Sequence, residues 1–279
     1  MNGILFNYRF KDKLPYYRYS QVDDDTKEVI KLEEMDAISS NASLGLVVPS
    51  YLDLRKFCVV LDQEDFPCGS VSTVASAVSL LHNLSNVDRY SITKMLFINK
   101  KPYWIMSRLH NYWHSRILEG SFTESQSVML ESSLQVLQKR KLCDETLWPY
   151  DKEYISLQPD LSIDVSSGSY PYVIKYNILS NSINLIKSEL YHHHPVILGI
   201  LLYDNWNSSS KGLIPLPNLE TNQVIGAHTI TLVGYNNEKK YFIFLNTLGK
   251  IWGDNGFGYI EYDYIYNQNL CGDIYSIYI

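Results

Sequence analysis

The chain has 279 residues and a mass of 32.3 kDa, with 46% hydrophobic and 19% charged residues. This composition excludes a disordered chain or a coiled coil and provides a core for one large or two medium domains. Because 24 basic residues face 30 acidic ones, for a net charge of −6, we expect no nucleic-acid partner.

The N-terminal stretch and the longest apolar run bear on localisation. Residues Met1–Lys13 contain no continuous apolar segment, so we expect no secretory signal. The run Pro195–Tyr203 is far shorter than the roughly 20 residues that cross a bilayer. We therefore expect no membrane association and a cytoplasmic, reducing location. In such a compartment the cysteines should be free thiols: Cys58, Cys68, Cys143 and Cys271.

The first half of the chain has the periodicity of helices. After a Pro-Cys-Gly turn, Val71, Val74, Ala75, Val78 and Leu81 recur at helical spacing. Two further amphipathic segments follow the same pattern. The predicted helices are Ser70–Leu81, Ser127–Lys139 and Ser182–Tyr191.

The second half is rich in β-branched and aromatic residues, separated by Gly, Asn and Asp turns. The predicted strands are Pro195–Leu202, Thr229–Tyr235, Lys240–Asn246, Gly258–Tyr262 and Asp273–Ile279. Helices followed by an antiparallel sheet indicate an α+β protein with two lobes. A ligand site is expected in the cleft between the lobes.

Two polar residues stand at the ends of predicted strands. His228 lies at the head of the apolar run Thr229–Tyr235, and Asn246 follows the next strand. An asparagine beside a histidine can hold the tautomer of the imidazole, which then acts as a general base. A lone strand histidine is more often a packed residue, so the surrounding motifs decide between these interpretations.

These motifs resemble the papain-like cysteine peptidases. Gly226-Ala-His228-Thr-Ile-Thr-Leu-Val-Gly-Tyr resembles the histidine strand of that family, and Asn246-Thr-Leu-Gly-Lys-Ile-Trp-Gly resembles its Asn-Ser-Trp-Gly motif. Gln63 matches the oxyanion-hole glutamine. The segments Tyr8–Arg18 and Glu145-x-x-Trp-Pro-Tyr150 are similar to the bacterial and giant-virus branch.

The resemblance implies a papain-like α+β fold with a helical left lobe and an antiparallel β-barrel right lobe. It divides the chain into an N-terminal extension (residues 1–50), the left lobe (51–165) and the right lobe (166–279). It implies His228, Asn246 and Gln63 as catalytic-site residues. The groove would be lined by Gly69, Ser70, Gln126 and Ala227.

The sequence departs from the family at the nucleophile. The pattern Cys-Gly-[Ser/Ala]-Cys-[Trp/Tyr] surrounds the papain-type cysteine, but here the stretch reads Cys68-Gly69-Ser70-Val71-Ser72. We therefore assign Val71 to the nucleophile position; alignment by the family's spacing from Gln63 would put Gly69 there instead. Neither side chain can attack a carbonyl. Cys68 and, less so, Ser70 are the candidates for a displaced nucleophile.

Two other departures favour an inactive protein. Leu248 stands where the family has the tryptophan that shields the His–Asn hydrogen bond, so we expect a weaker shield. Gln126 stands where the family has a cleft glycine, and its side chain would crowd a peptide. Our first hypothesis is a pseudoprotease that binds a protein or peptide or has a structural role, made by a virus and packaged in the virion. The alternatives are an active cysteine endopeptidase using Cys68, and a peptide-binding groove without turnover.

Metal and cofactor sites are not expected. The run His192-His-His194 has no further ligand at a suitable spacing, and a proline follows it at once. Asp254-Asn255 lacks the spaced acidic ligands of a calcium site and is interpreted as part of a turn. The run Asp23–Asp25 is interpreted as a solvated loop.

Overall fold

A computed structural model describes residues 48–89, 104–120, 126–140, 143–160, 162–163, 174–208 and 211–279. The predicted N-terminal extension, residues 1–50, lies outside these ranges except for its last three residues. So do Tyr8–Arg18 and Asp23–Asp25.

The three predicted helices are present, and two more, Arg108–Leu118 and the short Tyr262–Tyr266, were missed. The α-helices are α1 (Gly69–Arg89), α2 (Arg108–Leu118), α3 (Leu130–Lys139), α4 (Ile183–Tyr191) and the short α5 (Tyr262–Tyr266). Helix α1 is a core helix, because Val71, Val74, Ala75 and Val78 are all fully buried. Helix α2 escaped prediction because its buried face includes polar residues such as Arg108, which give no apolar stripe.

The five predicted strands are also confirmed. The strands are β1 (Tyr51–Asp53), β2 (Lys175–Leu179), β3 (Val196–Tyr203), β4 (Leu213–Ile214), β5 (Val224–Asn236), β6 (Tyr241–Leu245), β7 (Phe257–Glu261) and β8 (Cys271–Tyr278). Three of these, β1, β2 and β4, were not predicted. They have two to five residues, which is too short for a clear alternating pattern.

The strands form one eight-stranded sheet in the order β2-β8-β3-β5-β6-β7-β4, with β1 also paired to β5. The sheet is antiparallel except that β4 runs parallel to β7, which corrects the expectation of a wholly antiparallel lobe. Because β1 pairs with β5, residues 51–53 belong to the sheet rather than to the helical lobe. No described helix is long and apolar enough to span a membrane.

Helix α1 packs across strand β5 through buried hydroxyl groups. The Thr73 hydroxyl oxygen lies 2.8 Å from that of Thr229 and 3.1 Å from its backbone carbonyl oxygen. The Thr231 hydroxyl donates to the Thr73 carbonyl at 3.2 Å. Buried polar groups are costly unless they are paired, so these contacts fix the rotation of α1. They place the start of the helix near His228, which precedes Thr229 on β5.

Candidate active site

His228 and Asn246 lie side by side at two neighbouring interior strands of the sheet. His228 is on β5 and Asn246 directly follows β6, the neighbouring strand. The His228 Nε2 and Asn246 Oδ1 atoms are 2.7 Å apart, and the Thr247 N–H donates to the same oxygen at 2.8 Å. Since this oxygen only accepts, Nε2 carries the proton. The ring is thereby fixed in one tautomer and one orientation.

Burial controls the charge of His228. The side chain is 6% exposed. Burial lowers its pKa below the usual 6.5, and the hydrogen bond to Asn246 opposes this shift only in part. The ring is therefore neutral at pH 7, the form that can accept a proton.

An aromatic side chain that the sequence analysis missed packs against His228. Trp206 lies in the 3-10 segment Asp204–Ser208 that follows β3, and it is 4% exposed. Its ring meets His228 edge-on, with centroids 6.4 Å apart, and stacks on Trp252 at 5.8 Å. Trp206 thus supplies an aromatic neighbour for His228 from another part of the chain, while Leu248 stands where the family has its tryptophan and is not aromatic. The sequence signal that could have identified Trp206 was a tryptophan shortly after β3, the strand that pairs with β5.

Gln63 is joined to the same group of residues. Its backbone N–H donates to the Thr247 carbonyl at 2.7 Å, and the Thr247 hydroxyl donates to Gln63 Oε1 at 2.5 Å. The Gln63 side chain is only 4% exposed and lies against Gly69. A Cβ atom on Gly69 would be 3.2 Å from Gln63 Oε1 and 3.7 Å from Nε2. A continuous chain of contacts thus runs from His228 to Gly69.

The remaining residues near the start of α1 face elsewhere. Cys68 and Val71 are fully buried in a cluster of the helical lobe that includes Leu109, Tyr112 and Trp148. Residues two apart on a helix point about 200° away from each other. Gly69 and Val71 cannot both face Gln63, and the contacts place Gly69 there. Of the two registers considered from sequence, the structure thus favours the spacing from Gln63 over the one that gives Val71.

Cys68 has the environment of a structural thiol. Burial raises its pKa to about 12, and a hydrogen bond with Tyr150 opposes this only in part. A thiol with this pKa is neutral at pH 7 and is a poor nucleophile.

The other predicted groove residues differ in their exposure to solvent. Ser70 is buried, 6% exposed, and Ala227 is half-buried against the apolar cluster beside α1. Gln126 is exposed, and its carbonyl accepts a hydrogen bond from the Tyr112 hydroxyl at 2.6 Å. Its position relative to a peptide stays a prediction, because residues 121–125 are outside the described ranges.

The histidine run serves local structure. His192 Nδ1 is 2.8 Å from the Ser188 carbonyl oxygen, and His194 Nδ1 is 2.9 Å from a Glu189 carboxylate oxygen. Within the described ranges, no three His, Cys, Asp or Glu side chains come together as a metal ion would require.

A second group of polar residues holds the loop that carries Gln63. Arg108 forms a two-pronged ion pair with Glu145, at 2.8 Å for each prong, and donates to the Asp62 carbonyl at 2.7 Å. Its guanidinium carbon lies 3.4 Å from the ring centroid of Tyr150, whose hydroxyl donates to the Gln63 carbonyl at 2.7 Å. The Glu145-x-x-Trp-Pro-Tyr150 motif therefore positions Gln63. Arg108 itself was missed by the sequence analysis.

These features agree with a comparison against known families. Residues 48–276 match the family described as papain family cysteine protease. The chain belongs to this papain family. It is 25% identical over 245 residues to an uncharacterized peptidase C1-like protein of Acanthamoeba polyphaga mimivirus. That alignment covers 83% of this chain and 75% of the viral protein.

Solved structures show the same fold. Xylellain, a cysteine protease from Xylella fastidiosa, superposes with a TM-score of 0.72 at 25% sequence identity, covering 85% of this chain and 88% of xylellain. The proCathepsin B S9 of Trypanosoma congolense gives a TM-score of 0.61 at 14% identity, covering 85% of this chain and 78% of the other. The papain-like α+β fold predicted from the sequence is confirmed.

Proposed function

We propose that this papain-family protein is a catalytically silent peptidase homologue that binds a protein or peptide in the cleft between its lobes. The observation that carries the proposal is Gly69. It begins α1 and lies against Gln63, but it has no side chain that could attack a carbonyl. The hydrogen-bonded pair His228 and Asn246 therefore has no nucleophile to activate at this position.

The alternative of an active endopeptidase would need Cys68. A base must come within hydrogen-bond reach of the proton that it abstracts, whereas Cys68 is buried among residues of the helical lobe. Its raised pKa also keeps the thiol neutral. Both observations speak against Cys68 as a displaced nucleophile.

The proposal extends to a viral role. The similarity to a mimivirus protein supports expression by a virus, and packaging in a virion is one place where a binding module without turnover would serve. Detection of the protein by mass spectrometry in purified virions tests this part.

The decisive experiment restores the missing side chain. Gly69→Cys should allow labelling by a peptidyl epoxide and hydrolysis of a fluorogenic peptide library, and adding His228→Ala should abolish both. The substitution is accommodated because Gly69 is outside the left-handed region and the nearest atom to the new Cβ is the end of a flexible side chain. Val71→Cys is the matched control and should remain inactive.

Two outcomes would contradict the proposal. The first is labelling of Cys68 in the unmodified protein that His228→Ala abolishes. The second is hydrolysis by Val71→Cys but not by a folded Gly69→Cys variant, which would place the nucleophile position at residue 71.

A further inference from the structure

A second concave surface lies on the sheet lobe, apart from the candidate active site. It is a pocket of about 780 Å³ at the point where the segment before α4, the loop after β4 and helix α5 meet. Its lining includes none of His228, Asn246, Gln63 and Gly69. A ligand held there would therefore make contacts other than those of the candidate active site.

Hydrogen bonds hold the walls of this pocket in place. The Asn181 side-chain amide donates to the Ile265 carbonyl at 2.7 Å and to the Cys271 carbonyl at 3.1 Å, which ties the segment before α4 to α5 and to the start of β8. On the other wall, the Asn205 amide donates to the Leu216 carbonyl at 3.3 Å. Because the walls are already ordered, a ligand loses little affinity to their ordering.

The rim of the pocket is apolar and open to solvent. Leu219 is 53% exposed and Tyr266 is 68% exposed, and both line the pocket together with the exposed Leu216 and the buried Leu270. Large apolar side chains that are exposed around one concavity mark an interaction surface. A small-molecule site encloses most of its ligand, whereas this open rim suits an extended chain that runs across it.

The charge at the rim defines the partner further. Among the described residues that line the pocket, Asp263 is the only charged one, and no described Lys or Arg side chain forms an ion pair with it. Asp263 and Tyr266 are three residues apart on α5, so they lie on one side of the helix. A guanidinium group can pair with the carboxylate and stack on the aromatic ring. The same charge disfavours nucleic-acid phosphates and an anionic membrane surface.

We propose that this pocket binds a linear segment of a partner protein in which an arginine stands next to a large apolar residue. The arginine pairs with Asp263 and lies on the Tyr266 ring, and the apolar side chain packs between Leu216 and Leu219 above Leu270. The inference goes beyond the proposed function, because binding at this pocket does not depend on which residue faces Gln63.

The test uses three pools of short peptides. The full ¹⁵N-labelled chain is titrated with acetylated and amidated tripeptides that have arginine between two residues drawn from Leu, Ile, Phe and Tyr. A second pool has glutamate in place of arginine, and a third has serine in place of the apolar residues. The arginine pool should shift the amide signals of Leu219 and Gln268 and bind at least about fivefold more tightly than either other pool. Raising the salt concentration to about 0.5 M should narrow the difference between arginine and glutamate.

Substitutions of exposed residues locate the effect with little risk to the fold. Asp263→Asn should bring the arginine and glutamate pools to within about twofold of each other, because the charge that distinguishes them is gone. Leu219→Ser should weaken the arginine pool at least about threefold by removing apolar contact area. The matched controls Asp151→Asn and Leu157→Ser make the same changes at exposed residues of the helical lobe and should have no effect.

The outcomes separate this pocket from the proposed function. Peptide shifts confined to the signals of Gln63 and Gly69 would overturn the pocket while supporting peptide binding in the cleft. Shifts at the pocket that persist unchanged in both Asp263→Asn and Leu219→Ser would also overturn it. The labelling and hydrolysis results for Gly69→Cys report on catalytic silence whichever result the pocket gives.

Discussion

The two sides of the candidate site, called here the sheet wall and the helix wall, differ in the chemistry that their residues offer. The sheet wall consists of His228, Asn246 and Thr247, with Trp206 against His228, and its hydrogen bonds hold the imidazole in one orientation. The helix wall, the start of α1, presents Gly69 to Gln63, and a glycine has no side chain that could act as a nucleophile.

The comparison shows that the fold depends on many contacts, whereas the chemistry of a site can depend on one side chain. The geometry of the sheet wall follows from the register of β5 and β6, which many core contacts maintain. At the helix wall, by contrast, the chemistry depends on the single side chain that lies against Gln63, and glycine supplies none. A change of one side chain there can therefore alter the chemistry of the site without altering the fold.

The largest expected effect concerns the rate at which the Cys68 thiol reacts with an alkylating reagent. At pH 8, Cys68 should react with iodoacetamide roughly a thousandfold more slowly than an ordinary exposed thiol, because its raised pKa leaves little thiolate. Mass spectrometry of timed samples measures the rate, and the unfolded protein is the control. Comparable rates in the folded and unfolded protein would mean that the helix wall exposes a reactive thiol.

Removing the Trp206 ring beside His228 should have the next largest effect, which is on the free energy of unfolding. Trp206→Ala should lower the free energy of unfolding by about 3–5 kcal/mol, because it leaves a cavity beside His228 and Trp252. Urea denaturation measures the change. Tyr266→Ala alters an aromatic residue that is 68% exposed and should change stability by less than about 0.5 kcal/mol. Equal effects of the two variants would show that Trp206 is not part of the packed core.

Removing the ion pair that supports the Gln63 loop should have a smaller effect on the free energy of unfolding. Glu145→Gln keeps the shape of the side chain but removes the charge that pairs with Arg108, and it should cost about 1.5–3 kcal/mol. Glu153→Gln is the control, since Glu153 is exposed in the same segment. If the two variants unfold at the same urea concentration, the Arg108 ion pair does not stabilise the Gln63 loop.

The smallest expected effect concerns the charge of His228. Nuclear magnetic resonance should find its pKa below 6.5, and Asn246→Leu should lower the pKa further by removing a hydrogen bond that favours the charged form. Since the folded-state pKa is depressed, the stability from neutral His228 is complete above pH 6.5 and is lost as the pH falls, by at most about 1.4 kcal/mol per pH unit. A pKa above 6.5 would mean that the pair is more solvated than its burial indicates.

Sequence periodicity anticipated the long buried elements but not those with mixed faces. Helix α1 and strand β3 were predicted because nearly all of their inward positions are apolar. Helix α2 was not, because the ion pair of Arg108 with Glu145 lets a charged residue lie in the interior. A charged residue of this kind is predicted to lie on the surface unless its partner, here 37 positions away along the chain, is known.

The sequence by itself determined the α+β class, the order of the long elements and the His228, Asn246 and Gln63 motifs, because these are recorded in local patterns and spacings. Only the tertiary structure decided which residue at the start of α1 faces Gln63. That choice depends on the rotation of the helix, and the rotation is set by the contact of Thr73 with Thr229, 156 positions along the chain. The same long-range packing brings Trp206 over His228. Local spacing could not fix either contact, because both depend on how distant segments pack together.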